Sequence, residues 1–343
     1  MVNWVVCLLT VLMYSSISLA ETKTSTHPEP FGIPDWFKNS FLDLSEDNAE
    51  AQDEGKHLLV LFTQDFCPYC KALIEKNLTQ KKIRDSLDAN FDIVHLNMWG
   101  DREVFDIHGE PTTEKAIAET LKVQFTPTLI FFDKSGQIAL RTNGYLSSTE
   151  MLASLEYVST KEYQKRPILD FLKDKPNRSA QKSLGTQPFL KPSFDQYEVD
   201  KPIALIFEQS DCIDCDTLHE CVFSKDSFRG QANSFHTVQL DLWSTKTITL
   251  PDGRAVPINR MAQQLQINYT PTIVLLDPDF NEVIRAEAQL RSFHIESLFE
   301  YVSSGLYNNE PQFQRYIDMR ADKLRAEGKA VSILGTDESC NTL

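Results

Sequence analysis

Four stretches of this chain recur once, in the same order and at one spacing. Leu58-Leu59-Val60-Leu61-Phe62 returns as Ile203-Ala204-Leu205-Ile206-Phe207, and Phe91-Asp92-Ile93-Val94-His95-Leu96-Asn97-Met98-Trp99 returns as Phe235-His236-Thr237-Val238-Gln239-Leu240-Asp241-Leu242-Trp243. Phe125-Thr126-Pro127-Thr128 returns as Tyr269-Thr270-Pro271-Thr272, and Glu156-Tyr157-Val158-Ser159 as Glu300-Tyr301-Val302-Ser303. The offset holds at 144 or 145 (235 − 91 = 144; 203 − 58 = 145). A stacked-repeat protein needs more and shorter units. The 343 residues are therefore two copies of one domain, and whatever fold the chain adopts must fit into one such offset.

Within each copy, short apolar runs alternate with helix-forming stretches. The first copy opens with a helix expected over about 45–52, Ser45 being its N-cap. A buried strand at His57–Phe62 follows, then a helix beginning at Lys71. Further strands are expected at Ile93–Met98 and Thr237–Leu242, at Thr128–Phe132 and Thr272–Leu276, and at Gln137–Thr142. Helices are expected at Glu114–Leu121 and Ile258–Leu265, and at Ser148–Val158 and Ser292–Val302. This order predicts an α/β fold with a mostly parallel sheet, helices on both faces and a closing antiparallel hairpin. The insertions 100–113 and 244–257 read as loops or hairpins. The boundaries expected are a segment at 21–40, a first domain at 41–173, a linker at 174–199 rich in Pro, Ser, Lys and Gln, a second domain at 200–335, and a tail at 336–343. Beyond Pro311, the spacing of Phe313, Tyr316, Ile317, Met319 and Leu324 predicts a helix that packs on the second copy.

Each copy carries a Cys-x-x-Cys pair at its first strand-to-helix junction: Cys67-Pro68-Tyr69-Cys70 and Cys212-Ile213-Asp214-Cys215. A cysteine at a helix N-terminus faces unpaired N–H groups and the positive end of the helix dipole, so its thiolate is stabilised. Such a thiolate attacks a disulfide, and the second cysteine, one turn on, resolves the mixed disulfide. Zinc sites use the same spacing, but the two pairs lie 145 residues apart (212 − 67 = 145), whereas ribbon pairs lie about 15–20 apart. Neither pair is followed by His, which excludes covalent haem attachment. We expect no metal and no cofactor. A cluster of Cys212, Cys215 and His219 is the weaker reading of His219, and a surface histidine the plainer one. Cys221 faces Lys76 in the repeat (221 − 145 = 76) and is no duplicated part; a Cys221–Cys340 bridge stays open.

A content of 41% hydrophobic and 24% charged residues is that of a globular chain. The net charge of −15 excludes nucleic acid as a partner, because phosphate needs a basic face. The uncharged run from Trp4 to Leu19, ending in Ser18-Leu19-Ala20, reads as a secretory signal over 1–20. The expectation is an exported protein, periplasmic, with a mature start near Glu21.

Thr126-Pro127 and Thr270-Pro271 stand just before apolar strands, where a proline gives up a ladder donor. A cis bond is expected at both, freeing the preceding backbone to pair with a bound peptide. Thr126, Pro127, Thr270 and Pro271 are thus candidate substrate-binding residues. So is Tyr69, expected to be exposed between the sulfurs. Trp99 and Trp243 end equivalent strands, and read either as packing residues or as lining for a substrate groove.

A strand, a Cys-x-x-Cys helix and a Thr-Pro-Thr entry to a later strand are together similar to the thioredoxin fold. The chain more closely resembles bacterial periplasmic thioredoxins of the SoxW type. Those carry Cys-Pro-Tyr-Cys, a segment like Asn97-Met98-Trp99-Gly100, an insertion like 101–111, Phe-Thr-Pro-Thr, and a tail like Pro311-Gln312-Phe313-Gln314-Arg315-Tyr316-Ile317. The resemblance covers about residues 40–335. It implies two tandem thioredoxin-like domains, each a mixed sheet flanked by helices. It also implies thiol–disulfide exchange through Cys67, Cys70, Cys212 and Cys215 on protein or small-molecule disulfides, with a membrane thiol reductase as electron donor. The chain departs from the pattern where many thioredoxins bury an Asp on the first strand, having Leu61 and Ile206 there, and in its duplication. The competing reading is a non-catalytic peptide-binding or chaperone module with structural disulfides. Asp211, Asp214 and Asp216 surround Cys212 while Lys71 and Lys76 follow Cys67, so the two pairs are expected to be unequal, with Cys67 carrying most of the exchange.

Overall fold

A computed structural model describes residues 31–173, 183–195, 197–287, 290–329 and 331. The signal segment, the start of the linker and the tail with Cys340 lie outside the described residues, and with them the Cys221–Cys340 pairing.

The first half runs α1 (Leu44–Asp53), β1 (His57–Thr63), α2 (Pro68–Ala72), α3 (Lys81–Asn90), β2 (Phe91–Asn97), β3 (Glu103–Phe105), β4 (Pro111–Thr113), α4 (Glu114–Thr120), β5 (Thr128–Phe132), β6 (Ile138–Asn143), α5 (Ser148–Ser159) and α6 (Ile168–Leu172). The second half repeats the plan from its first strand: β7 (Ile203–Glu208), α7 (Ile213–Leu218), α8 (Asp226–Ala232), β8 (His236–Asp241), β9 (Thr247–Thr249), β10 (Ala255–Pro257), α9 (Ile258–Gln264), β11 (Thr272–Leu276), β12 (Glu282–Glu287), α10 (Ser292–Ser303) and α11 (Phe313–Ala326).

Each half builds a four-stranded sheet, ordered β2-β1-β5-β6 and β12-β11-β7-β8. β1 pairs parallel with β2 and antiparallel with β5, and β5 pairs antiparallel with β6. The sheet is therefore mixed, with one parallel pair of three, which corrects the mostly parallel expectation. The chain re-enters the sheet beside β1 from the opposite end, so β5 runs against it. β1 is buried along its whole length. Leu59 and Leu61 face α3 and α5, while Leu58, Val60 and Phe62 face the layer holding Leu44 of α1 and Ile117 of α4. Helices on both faces explain why the strand reads as an unbroken apolar run.

Other local readings shift. The N-cap of α1 is Asp43, whose carboxylate accepts the Glu46 N–H at 3.0 Å, and Ser45 already lies in the first turn. The insertions close as two-stranded hairpins, β3 with β4 and β9 with β10. Part of the expected linker belongs to the second domain. Phe189 and Phe194 are buried in its cores, and Lys191 makes a parallel bridge beside Val238. In α11, Phe313, Tyr316 and Ile317 are buried while Met319 is exposed. That helix packs on α10 and also reaches the first domain, where Gln314 donates to Gln124 O at 3.1 Å. Among the described residues no helix is long and apolar enough to cross a membrane.

Candidate active site

The strand β1 ends in a sharp reversal at Phe66, and β7 in the same reversal at Asp211; both residues hold a φ of 57°. This left-handed residue turns the chain so that the next one, Cys67 or Cys212, becomes the N-cap of a helix. The Sγ of Cys67 accepts the Cys70 N–H at 3.0 Å, and that of Cys212 the Cys215 N–H at 3.1 Å. Each pair is joined as a disulfide. Both helices continue into one π turn, Leu73–Asn77 and His219–Phe223.

Thr126-Pro127 and Thr270-Pro271 are both cis, as expected, and each brings its threonine onto the leading sulfur. Thr126 O lies 3.5 Å from Cys67 Sγ, and the Thr126 hydroxyl donates to that sulfur at 3.3 Å. Thr270 O lies 3.7 Å from Cys212 Sγ. The structure thus gathers each cysteine pair with its own Thr-Pro.

The two domains face each other about a pseudo-two-fold relation. Asn143 and Glu287, equivalent by the repeat, meet at 2.7 Å. The second of the two residues between each pair of cysteines stands toward the start of a helix in the other domain, α10 for Tyr69 and α5 for Asp214. The Tyr69 hydroxyl accepts the Arg291 N–H at 3.3 Å and hydrogen-bonds His294 Nδ1 at 3.2 Å. Across the relation, Asp214 acts electrostatically on Glu150 at the start of α5. Tyr269 reaches Ser154 with its hydroxyl at 3.2 Å, and its counterpart Phe125 packs on Phe313. Tyr69 is therefore only 4% exposed. This corrects the expectation of an exposed residue: the second domain covers what a lone domain would leave open. Burial pushes its phenol up to about 12 and the His294 imidazole down to about 3, so both are neutral at physiological pH.

Cys67 itself is 2% exposed, and what opening it has is a cavity of about 580 Å³. Gln64, Asp65 and Trp99 form its first-domain side, and Gln314, Asp318 and Asp322 of α11 its second-domain side. The Trp99 indole donates to Gln64 at 3.0 Å, which fixes the ring in the wall. Trp99 is thus a lining residue. Trp243, held by Gln209 at 2.6 Å, borders a smaller cavity of about 190 Å³ beside α6. His219 is buried, with Nε2 at 2.9 Å from Glu208, so neither a surface position nor a ligand role with Cys212 and Cys215 describes it. Sequence reasoning did not find Arg291, His294 or Gln314 as parts of the Cys67 site. They stand more than 220 residues away from it in the chain, and no local motif marks them.

The buried carboxyls of Asp214 and Glu150 give the interface a pH dependence. Burial, with Asp214 nearby, pushes the Glu150 carboxyl up to about 7, and burial pushes Asp214 up to about 6. A carboxyl with a raised native pKa favours the native arrangement while protonated and opposes it once ionised. Stability should therefore decline from about pH 4 to about pH 7 and level off above. Glu150→Gln keeps the N3 position of the capping box with Ser147. We expect it to stabilise the protein at pH 8 by about 1–2 kcal/mol, with little effect at pH 4. Urea unfolding at the two pH values measures this. Equal shifts at both would show that the carboxyl does not titrate in the interface.

A family model described as a thioredoxin-like domain matches residues 44–159 and 197–303, more than half of the chain. Among solved structures, the chain is similar to a thioredoxin-fold protein from Helicobacter pylori, at 24% identity over 38% of this chain and 92% of that one, with a TM-score of 0.32. It is similar to a thioredoxin from Thermus thermophilus, at 27% identity over 34% of this chain and 83% of that one, with a TM-score of 0.28. A putative disulphide-isomerase from Bacteroides thetaiotaomicron shares 23% identity over 38% of this chain and 94% of that one, with a TM-score of 0.29. No curated protein matches the chain.

Proposed function

This chain belongs to the thioredoxin-like domain family, and from that premise we propose that it is a thiol–disulfide oxidoreductase. Its place is outside the cytoplasm, as in thioredoxins of the SoxW type, and its role is that of a reductant or electron relay. The observation that carries the reading is the Cys67 sulfur. It caps a helix, accepts the Cys70 N–H at 3.0 Å and touches the backbone of a cis Thr-Pro. The helix N–H and the Thr126 hydroxyl, which donates at 3.3 Å, favour sulfur as an anion, the form that attacks a disulfide or leaves from one. In the reduced protein, Cys67 attacks a substrate disulfide and releases one thiol. Cys70 then attacks the Cys67 sulfur, releases the second thiol and leaves the pair oxidised. The uncharged N-terminal run supports export, and export supports a membrane thiol reductase as the electron donor.

Trapping tests this. With Cys70→Ala the mixed disulfide has no resolving thiol, so covalent adducts at Cys67 should accumulate in a periplasmic extract and disappear on adding dithiothreitol. Cys67→Ser should yield none. A reduction potential below about −300 mV for the Cys67–Cys70 pair, with no adducts, would favour the structural-disulfide reading instead.

A further inference from the structure

Four charged side chains line the cavity at Cys67: Asp65, Asp318, Asp322 and Arg325. Arg325 is held by Asp322 at 2.8 Å, so its charge is already offset. What remains toward the cavity is the carboxylates of Asp65 and Asp318. Asp65 accepts a hydrogen bond from the Asn97 amide at 3.4 Å. The other titratable groups of the lining do not balance them. His294 and Tyr69 are neutral at physiological pH because both are buried. Arg315 lies over the Trp99 ring and is not part of the lining. The walls beside Cys67 are aromatic, with Phe66, Trp99 and Phe125. A chamber of about 580 Å³ falls within the range of small-molecule sites. The sulfur is too enclosed for a folded protein surface to reach while the domains are closed.

We propose that this cavity is a substrate site for small organic disulfides that carry a cationic group, bound with the disulfide at Cys67 and the cation between the aromatic wall and the carboxylates of Asp65 and Asp318. The inference rests on the exchange activity proposed above and adds its substrate class. The carboxylates of Asp65 and Asp318 in the lining attract a cation and repel an anion, and aromatic rings add to the attraction for the cation. The chemistry balances as a two-electron exchange. The reduced Cys67–Cys70 pair becomes the disulfide, the substrate disulfide becomes two thiols, and a dithiol donor restores the pair.

The test uses the full chain carrying Cys212→Ser and Cys215→Ser, pre-reduced with dithiothreitol and freed of it. Its oxidation is followed by acid quench and thiol alkylation with three probes: cystamine (a dication), bis(2-hydroxyethyl) disulfide (neutral) and 3,3′-dithiodipropionate (a dianion). Each rate is divided by the rate of the same probe with dithiothreitol, which removes intrinsic reactivity. We expect the normalised cystamine rate to exceed that of the dianion by at least about tenfold at low ionic strength. The ratio should shrink at about 0.5 M salt. Asp65→Asn with Asp318→Asn should bring it to within about threefold. Because the salt series needs no aspartate substitution, an aspartate variant that fails to fold leaves the test intact. Normalised rates equal for all three probes, independent of salt, would overturn the charge selection while leaving the exchange activity standing. Failure of all three probes and of a protein disulfide alike to oxidise Cys67 and Cys70 would overturn the activity itself. Exchange only with protein disulfides would place the substrate outside this cavity.

Discussion

Cys67→Ser should lower disulfide exchange by at least about a hundredfold, whereas Cys212→Ser should leave it within about threefold. Both sulfurs cap helices and accept an N–H from the residue three positions on, at 3.0 and 3.1 Å, so that benefit is shared. Their neighbours differ. Between the first pair stand Pro68 and Tyr69, the tyrosine neutral because burial raises its phenol. Between the second pair stands Asp214, raised by burial to about 6 and so largely ionised at neutral pH. Glu150 from the other domain adds a second carboxyl there. A carboxylate beside a thiolate raises the thiol's pKa and cuts its reactive fraction. At an effective dielectric near 20, one charge several ångströms away is worth about one pKa unit, or tenfold in thiolate. Iodoacetamide alkylation against pH in single-pair variants should give the lower pKa to Cys67. If the lower value belongs to Cys212, or if Cys212→Ser abolishes turnover and Cys67→Ser does not, the roles are reversed. Asp214→Asn should then narrow the gap between the pairs, because it removes the charge and keeps the shape.

The repeat made the domain plan legible, since strand and helix lengths are set by apolar runs that survive duplication. Thr128–Phe132 and Thr272–Leu276 stand in the structure at the bounds expected. The direction of those strands was not legible, because an apolar run reads the same whether it runs with or against its neighbour. The chemistry of each sulfur was local to a few residues, and so were the Thr-Pro contacts. The cover over the sulfurs was not local. Tyr69 carries no mark of being buried by residues 291 and 294, and a single domain would leave it exposed. The repeat held one clue to the interface. Positions equivalent by the offset, such as Asn143 and Glu287, are polar and can meet across a two-fold relation. Pairing of that kind cannot be read from sequence, because duplication alone does not say which faces touch. The segment 183–195 misled by composition. Its polar residues suggested a linker, while Phe189 and Phe194 anchor it in the second domain.

Glu208→Ala should destabilise the second domain by about 2–4 kcal/mol, the cost of leaving the buried donors of His219 and Gln239 without their acceptor. Glu208 ends β7 with no exposure to solvent, two positions beyond Ile206 on the same face of the strand. His219 Nε2 donates to its two oxygens at 2.9 and 3.1 Å, and the Gln239 amide donates at 2.6 Å. The same amide donates to Gly185 O at 2.8 Å, so the network ties the strand, the π turn and the incoming segment together. In the first domain the corresponding places hold Thr63, Ile74 and His95, and only a hydroxyl–imidazole contact of 2.7 Å remains. Gly185 is part of the fit: a Cβ there would stand 2.5 Å from His219 Cγ, so Gly185→Ala should also destabilise this domain. Removing Glu208 alone leaves His219 and Gln239 buried with donors that have lost their acceptor. Replacing both Glu208 and His219 with leucine removes donor and acceptor together, so the double variant should lose less than the sum of the two single leucine variants. Urea titration followed by hydrogen exchange of the β7 amides measures each loss in the second domain separately from the first. A loss below about 1 kcal/mol for Glu208→Ala would mean that water replaces the carboxylate and the network is not what holds the segment.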